Sequence, residues 1–158
     1  MEFDYQILSL APEFFKTHPV DQFPELLQKD TRAYNCLVLD TMYDYFICIP
    51  FRTEMHHKNG YKFKNSKRAR RHQSGLDYSK IVILTDAALL SSLPAIVDSD
   101  EYNETVKNIQ AIAKDAADYV TTYTRHMNGE APLHSYNFQW KYAYSTLQYF
   151  HAELGLLD

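Results

Sequence analysis

Two short segments hold the side chains that could carry chemistry. The first reads PFRTEMHHK, residues 50–58, and the second reads SGLDYSK, residues 74–80. Together they offer imidazoles, hydroxyls, amines and a guanidinium, which are the groups that cleave an RNA phosphodiester without a metal. Such cleavage needs one group to take the proton from the 2′-hydroxyl, donors to stabilise the charged phosphorus centre, and one group to protonate the leaving 5′-oxygen. These residue types therefore predict a phosphate site.

The same region of the chain is strongly basic. Between residues 52 and 80 there are two acids, Glu54 and Asp77, and nine bases: Arg52, Lys58, Lys62, Lys64, Lys67, Arg68, Arg70, Arg71 and Lys80. This stretch, the basic segment, carries +7 whereas the whole chain carries −4, so the remaining residues carry −11. One basic patch on an acidic protein is typical of a local polyanion site. Tyr61, Phe63 and Tyr78 alternate with the bases, a mixture that suits single-stranded RNA.

A less specific interpretation stays open for each of these residues. The basic segment could be a solvated loop that keeps the protein in solution. Arg52 could form a surface salt bridge, Thr53 could lie in a turn, and one of His56 and His57 could face the core. The residues alone therefore predict a phosphate site, and they leave open whether it belongs to a nuclease or to a passive RNA-binding module.

Other kinds of site lack their usual motifs. His56 and His57 have neither a His-x-x-x-His pair nor a second Cys/His cluster, so we expect no metal. The four glycines are widely separated, and there is no Gly-rich phosphate loop or Gly-x-Ser-x-Gly elbow. We expect no cofactor. Cys36 and Cys48 lie in apolar strand-like runs and are expected to be buried thiols.

The location of the protein is also predicted from what the chain lacks. The first residues, MEFDYQILSL, carry acids and do not read as a signal peptide. No run approaches the roughly 20 apolar residues of a membrane helix. We therefore expect a cytoplasmic protein with no membrane partner.

The pattern of apolar residues predicts a mostly antiparallel sheet. Five segments read as strands: residues 1–10, 33–40, 44–51, 80–84 and 93–97. Residues 33–40 and 44–51 are separated by a four-residue turn, which predicts an antiparallel hairpin. Pro12 is expected to open a short helix that ends near Thr17, and Pro94 restricts the last strand to an edge or a strand start. The basic segment is expected to leave the sheet as a loop just after the hairpin.

Helices are expected in the C-terminal third. One apolar stripe with helical spacing runs through Tyr102, Val106, Ile109, Ala113, Ala116, Val120 and Tyr123. Asp98, Ser99 and Asp100 are candidate caps, and Asn128, Gly129 and Pro132 end the pattern. A second helix is expected from about residue 136 to 153. The prediction is a single α+β domain, residues 1–158, with a compact, highly twisted, mostly antiparallel sheet packed against C-terminal helices.

The ordered combination of motifs resembles the type III toxin–antitoxin family, which includes ToxN, AbiQ, CptN and TenpN. The resemblance runs from about residue 31 to the C-terminus and rests on the hairpin AYNCLVLDTMYDYFICIPFRT and the PFR…HHK segment followed by SGLDYSKIVI. It also rests on the helix that begins EYNETVKNIQAI and ends DYVTTYT. The second part is most similar to the CptN and TenpN branches.

This resemblance implies a fold and an activity. It implies the barrel-like core of bacterial toxin RNases and a metal-independent endoribonuclease that leaves a 2′,3′-cyclic phosphate. It also implies inhibition by a pseudoknot RNA antitoxin that the toxin processes itself and holds in a hetero-oligomeric toxin–RNA assembly. The biological role would be abortive infection and phage resistance, with cellular or phage RNA as substrate and no DNA partner.

The resemblance also assigns roles to particular residues. The Lys and Ser of the family's active site correspond to Arg32 and Thr53, and because Arg cannot act as a base at neutral pH, we assign that role to His57, with His56 next. Arg52, Lys58 and Arg32 would hold the phosphate, and Thr53 would donate to a non-bridging oxygen. The expected RNA-binding residues are Tyr61, Lys62, Lys64, Lys67, Arg68, Arg70 and Arg71, together with Tyr78, which stacks on a base or supports the loop, and the site-wall residues Ser79 and Lys80.

Three alternatives remain at this point. A non-catalytic RNA-binding module would share the basic segment and would bind RNA without product. A toxin of related fold that acts on a protein target would leave the basic segment without a purpose. A metabolic enzyme is the weakest alternative because the chain has no cofactor motif.

Overall fold

The predicted hairpin forms the centre of the structure. The computed structural model describes residues 4–27 and 33–156. In it β2 (Asn35–Asp40) pairs antiparallel with β3 (Phe46–Arg52), from Cys36 opposite Pro50 to Asp40 opposite Phe46. Most residues of both strands are buried, as expected for short, continuously apolar runs. The hairpin prediction is therefore confirmed.

The other strands extend the hairpin into one antiparallel sheet. They are β1 (Tyr5–Leu10), β4 (Gly60–Lys62), β5 (Gly75–Asp77), β6 (Val82–Leu84) and β7 (Leu90–Pro94). The order is β4-β5-β3-β2-β1-β7, and β6 pairs with β3 outside this path. The predicted α+β class is confirmed. The barrel-like core is not found, because within the described part of the chain β4 and β7 are open edges of the sheet.

Strand β3 changes partner along its length. Its first residues pair with β6, from Phe46 opposite Leu84 to Cys48 opposite Val82. Its last residues pair with β5, and Arg52 lies opposite Gly75. The end of β3 therefore lies beside β5. This pairing brings together the two segments that carry the candidate chemistry, residues 50–58 and 74–80.

Helices pack on the sheet. The prediction for the first helix, Pro12–Thr17, is confirmed, whereas the C-terminal helices have bounds that differ from the predicted ones. They are α1 (Pro12–Thr17), α2 (Lys67–His72), α3 (Ser99–Lys107), α4 (Ile109–Met127) and α5 (Ser135–Tyr142). The apolar stripe is buried on α4 from Ala113 to Tyr123, whereas Tyr102 at its start is exposed. The stripe predicts one helix, but the chain breaks at Asn108, whose side-chain amide donates to the Glu104 carbonyl at 2.8 Å. In the described ranges no helix has the length and apolarity needed to cross a bilayer.

Two other predicted elements end earlier than expected. α5 stops at Tyr142, and the Ser145 hydroxyl accepts from the Leu147 amide to cap a separate 3₁₀ turn, Thr146–Tyr149. The buried Thr146 hydroxyl donates to the Ile81 carbonyl, a tertiary contact that holds this turn against the sheet. β7 ends at Pro94 instead of residue 97, and it lies at an edge, where Pro is tolerated.

The basic segment is ordered secondary structure and not the expected loop, because it contains β4, α2 and β5. A carboxylate of α3 binds the part of the segment around α2. Glu101 is buried and accepts from the hydroxyls of Ser66 and Ser74 and from two nitrogens of the Arg68 guanidinium. Because Ser66 also caps α2, this one carboxylate fixes where α2 begins.

A second carboxylate of α3 binds the part of the basic segment around β4. Glu104 is buried and accepts from the Tyr61 hydroxyl at 2.6 Å and from the backbone amides of Lys64 and Asn65. Burial, followed by the hydrogen bond to Glu104, raises the pKa of the Tyr61 phenol well above its usual value. The phenol therefore stays protonated and keeps donating.

The two cysteines are buried free thiols, as predicted. Cys36 lies on β2 and Cys48 on β3. Burial raises the pKa of the Cys36 thiol well above its usual value, so the thiolate does not form near neutral pH. Both side chains therefore act as small apolar residues in the core.

Glu101→Gln should destabilise the protein by about 2 kcal/mol, because the amide can no longer accept from all four donors. The loss is expected to fall below that of a fully buried broken pair because the Arg68 side chain is 40% exposed. Urea unfolding measures it, and Glu130→Gln, an exposed glutamate outside the basic segment, is the matched control. Equal stability of the two variants would contradict the anchoring role of Glu101.

Candidate active site

A buried carboxylate lies where the two segments meet. Asp77 ends β5 and is fully buried. One oxygen accepts from the Arg52 guanidinium at 2.6 Å and from His57 Nε2 at 3.0 Å. The other accepts from the Ser79 hydroxyl at 2.6 Å and from the Ser79 amide at 2.9 Å. Four donors satisfy both oxygens, so the carboxylate orients its neighbours.

Local structure explains how these donors reach Asp77. Arg52 on β3 lies opposite Gly75 on β5, and Gly75 stands two positions before Asp77 on that strand. Asp77 also caps the 3₁₀ turn Tyr78–Lys80, which directs the Ser79 amide at the carboxylate. The close packing of β4 and β5 requires glycine, since a Cβ on Gly75 would lie 2.5 Å from the Tyr61 carbonyl oxygen.

The charge of Asp77 is stabilised by its partners. Burial alone raises the pKa of Asp77, but hydrogen bonds from His57, Ser79 and Arg52 outweigh burial and hold the pKa below its usual value. The carboxylate is therefore ionised at neutral pH. It holds Arg52 and His57 at the surface end of the site, where their side chains are partly exposed.

The ring of His57 has partners on both nitrogens. Nδ1 accepts from the Asn59 backbone amide at 3.0 Å, so this nitrogen carries no proton. Nε2 then bears the hydrogen that it donates to Asp77. Nδ1 cannot accept a proton from a substrate without losing the contact to Asn59. This geometry disfavours the expected role of His57 as general base and makes it a residue that supports the site.

A second cluster lies on the adjacent surface and consists of Glu54, His56 and His72. His56 Nε2 lies 3.1 Å from one carboxylate oxygen of Glu54, and His72 Nδ1 lies 2.9 Å from the other. The two imidazole side chains are 60% and 54% exposed. We call this arrangement the histidine pair. Two solvent-exposed imidazoles that share one carboxylate are a suitable arrangement for transferring protons to and from a bound substrate.

The backbone holds the histidine pair in place. Glu54 has φ of 57°, a left-handed conformation that is unfavourable for a residue with a side chain. Its amide donates to the His72 carbonyl at 2.6 Å, and the next amide, of Met55, donates to the Gln73 carbonyl at 3.0 Å. The fully buried Met55 side chain anchors this turn. The strained turn therefore joins the end of β3 to the end of α2.

Each imidazole of the pair keeps one nitrogen available. Among the described residues, His56 Nδ1 and His72 Nε2 make no hydrogen bond, whereas the other nitrogen of each ring faces Glu54. A carboxylate on one ring nitrogen orients the ring, and the other nitrogen stays free to exchange a proton. The pair thus offers one potential base and one potential acid.

A cleft of about 490 Å³ lies beside these two clusters. Arg52, Thr53, Glu54 and Arg68 line it, together with apolar residues of β3, of the segment before β2 and of the β7–α3 connection. Ala33 is also part of its wall. The preceding residue, Arg32, which we expected to hold the phosphate, lies outside the described residues.

Several predicted RNA-binding residues have internal partners instead. Tyr61 and Arg68 bind the carboxylates of α3, and Ser79 binds Asp77, as described above. Tyr78 is buried against Tyr119, which leaves no face for a base, so only the supporting role that we considered for it fits. Lys80 is buried as well, and its Nζ lies 2.8 Å from Glu25 and 2.9 Å from the Tyr144 carbonyl. Burial therefore removes Tyr78, Ser79 and Lys80 from the RNA-binding set.

The remaining predicted cations are exposed. They are Lys58, Lys62, Lys64, Lys67, Arg70 and Arg71. Three of them lie on α2, the helix that ends with His72. The exposed cations on α2 therefore lie next to the histidine pair. Within residues 4–27 and 33–156 no group of three His, Cys, Asp or Glu side chains is arranged to hold a metal ion.

Sequence reasoning missed three residues of this site: Glu54, His72 and Asp77. Each is polar and stands in the basic segment, and the two acids were the only negative charges there. That isolation was the available signal, because an acid among many bases often has a specific partner. His72 was hidden because it lies 18 positions from Glu54 in the chain.

Asp77→Asn should lower the free energy of unfolding at neutral pH by about 2 kcal/mol, because Arg52 loses its charged partner. The pKa of Asp77 is lower in the folded protein than in the unfolded chain. Its contribution is therefore complete above the ordinary pKa of about 3.9 and is lost as the pH falls further.

Urea unfolding of both proteins between neutral and acid pH measures the effect. The stability difference between wild type and Asp77→Asn should shrink below about pH 4. Asp118→Asn, which removes an exposed carboxylate paired with Lys114, is the control and should change stability little. A difference that stays constant through the acid range would contradict the assignment.

A scan of protein-family models found no match to this chain, and comparisons with curated proteins and with solved structures found no significant similarity either. The resemblance to the type III toxins therefore rests on sequence motifs alone.

Proposed function

We propose that this protein is a metal-independent endoribonuclease and the toxin of a type III toxin–antitoxin system. The observation that carries the enzymatic proposal is the histidine pair. Two partly exposed imidazoles share Glu54, each with one nitrogen free among the described residues, next to an exposed cationic helix. Cleavage of RNA through its 2′-hydroxyl needs this combination of a base, an acid and positive charge.

The reaction follows from the roles of the two imidazoles. One ring removes the proton from the 2′-hydroxyl, and the 2′-oxygen forms a bond to phosphorus. The bond from phosphorus to the 5′-oxygen breaks, and the other ring, as imidazolium, gives its proton to that oxygen. The products are a 2′,3′-cyclic phosphate and a 5′-hydroxyl. DNA is not a substrate because it lacks the 2′-hydroxyl.

Positive charge stabilises the phosphate during this step. Arg52 is held by Asp77 at the rim of the cleft, with Thr53 as a neighbouring hydroxyl donor. Arg71 precedes His72 directly on α2 and is exposed. Lys58 is exposed two positions after His56. These side chains can neutralise the charge that develops on the non-bridging oxygens.

The charge distribution favours RNA binding at the basic segment. The segment carries +7 and the remaining chain −11, so the segment is where a polyanion is attracted most strongly. From the resemblance we propose cytoplasmic action on cellular or phage RNA. The same resemblance suggests inhibition by a pseudoknot RNA that occupies this face in a toxin–RNA assembly.

His56→Ala and His72→Ala should each slow RNA cleavage by roughly 100-fold to 10,000-fold, because each removes one proton-transfer group. The assay incubates RNA-free protein with long mixed-sequence RNA in EDTA and analyses the fragment ends. Fragments should end in cyclic phosphate. His134→Asn is the matched control, since His134 is exposed outside the site and Asn preserves its helix-capping role.

The outcomes separate the competing functions. Intact RNA that the wild-type protein nevertheless retains would replace the enzyme by an RNA-binding module. Cleavage that survives both His→Ala changes would move the catalytic groups away from the histidine pair. Binding to a protein target that is insensitive to salt, with no RNA bound, would favour a toxin of another kind.

Lys67→Ala should weaken RNA binding modestly and reduce the salt dependence of binding by about one phosphate contact. Lys67 is exposed at the start of α2, and its loss should not disturb the fold. Binding is measured as a function of salt concentration, beside Lys16→Ala, an exposed lysine on α1 outside the basic segment. An unchanged salt slope for Lys67→Ala would mean that α2 does not contact the RNA backbone.

A further inference from the structure

A row of exposed aromatic side chains lies on α5 and in the turn that follows it. Tyr136, Trp140 and Tyr144 stand four positions apart, which places successive members on one side of a helix. They are 63%, 72% and 72% exposed. Tyr136 and Trp140 meet edge to face, with ring centroids 6.3 Å apart. We call this row the aromatic face.

The aromatic face is not needed for the core of the protein. The opposite side of α5 provides that packing, where Tyr142 is buried and Phe138 packs against Tyr123 and His126. Single exposed aromatic residues are ordinary on protein surfaces, whereas a contiguous exposed patch often marks a site of interaction. The clustering of these three rings on α5 and the turn after it therefore indicates an interaction surface.

The backbone that carries the aromatic face contacts the basic segment. The Asn59 side-chain amide donates to the Lys141 carbonyl at 3.4 Å, and exposed Lys58 precedes Asn59. The Lys80 amine donates to the Tyr144 carbonyl at 2.9 Å. An RNA strand that leaves the cationic surface near Lys58 would therefore meet these rings next.

The side chains of α5 also favour nucleic acid as the partner, over a protein that presents an acidic or an apolar patch. The helix SYNFQWKY contains no carboxylate, so it does not repel phosphate. Its exposed amides, on Asn137 and Gln139, can hydrogen-bond to base edges. Aromatic rings beside cations are the arrangement by which proteins hold unpaired bases.

We infer that Tyr136, Trp140 and Tyr144 form a stacking platform for unpaired bases of single-stranded RNA. The inference rests on the proposed function, because it assigns the part of the RNA that lies beyond the phosphate contacts. The platform selects single-stranded over duplex RNA, since paired bases present no free face to the rings.

Trp140 is the only tryptophan of the chain, so tryptophan emission, excited at a wavelength that tyrosine does not absorb, reports on this face alone. The probe is a short 2′-O-methyl oligouridylate, which cannot be cleaved because its 2′-oxygens are blocked. Titration should quench the Trp140 emission, and a duplex of the same length should leave it unchanged. In parallel, anisotropy of the labelled oligonucleotide measures affinity for the wild-type protein, for Trp140→Ala and for Tyr136→Ala.

Trp140→Ala should weaken binding of the single strand by about tenfold, the value of one base–aromatic stack. Tyr43→Ala, an equally exposed tyrosine in the β2–β3 turn, should leave affinity unchanged. RNA binding without quenching, and with equal affinity of all variants, would overturn the platform and leave the proposed function standing. A change of oligomeric state in Trp140→Ala without loss of RNA affinity would reassign the face to contacts between copies, and absence of any RNA binding would overturn both proposals.

Discussion

A buried negative charge must be matched by donors, and in this protein that requirement organises the site. Asp77 lies at the end of a short strand with no exposure to solvent, and four hydrogen bonds compensate for its burial. The partners come from three places in the sequence: the end of β3, the following turn, and the 3₁₀ turn after β5. The cost of burying this one carboxylate is thus offset only when the local fold holds Arg52 and His57 in place.

The same principle explains how a segment with so much positive charge folds on an acidic protein. Helix α3 contributes Glu101 and Glu104, which are buried and accept from the ends of β4 and α2. Only part of the segment's charge is used in this way. Arg68 is paired with the buried Glu101, whereas Arg70 and Arg71 on the same helix remain exposed. The buried carboxylates therefore bind some cations of the segment as part of the fold and leave the others exposed on the surface.

The histidine pair differs from the Asp77 cluster in a way that matters for chemistry. His57 is fixed by two contacts and has no nitrogen left for a substrate. His56 and His72 are each oriented by a single oxygen of Glu54 and are open to solvent. Proton transfer needs a group that is oriented and still free on one side. This contrast is the reason for proposing that the buried cluster supports the site and that the exposed pair transfers protons.

Local pattern alone determined a good part of this protein. The β2–β3 hairpin, the short α1 helix, the buried stripe of α4 and the two core thiols follow from alternation, helical spacing and Pro placement, all of which act over a few residues. The charge excess of residues 52–80 is likewise a property of composition. The α+β class needed no more than the order of these elements.

Tertiary structure decided the rest, because the deciding contacts join residues that are far apart in the chain. Asn108 breaks a helix that its apolar stripe continues, and Ser145 starts a turn where the pattern allows a helix. Lys80 and Tyr78 read as ligand-binding residues, yet packing buries them. His72 reaches Glu54 only because β3 and α2 end at the same point. No local pattern encodes such meetings, since they depend on strand pairing and on which carboxylates the fold places inside.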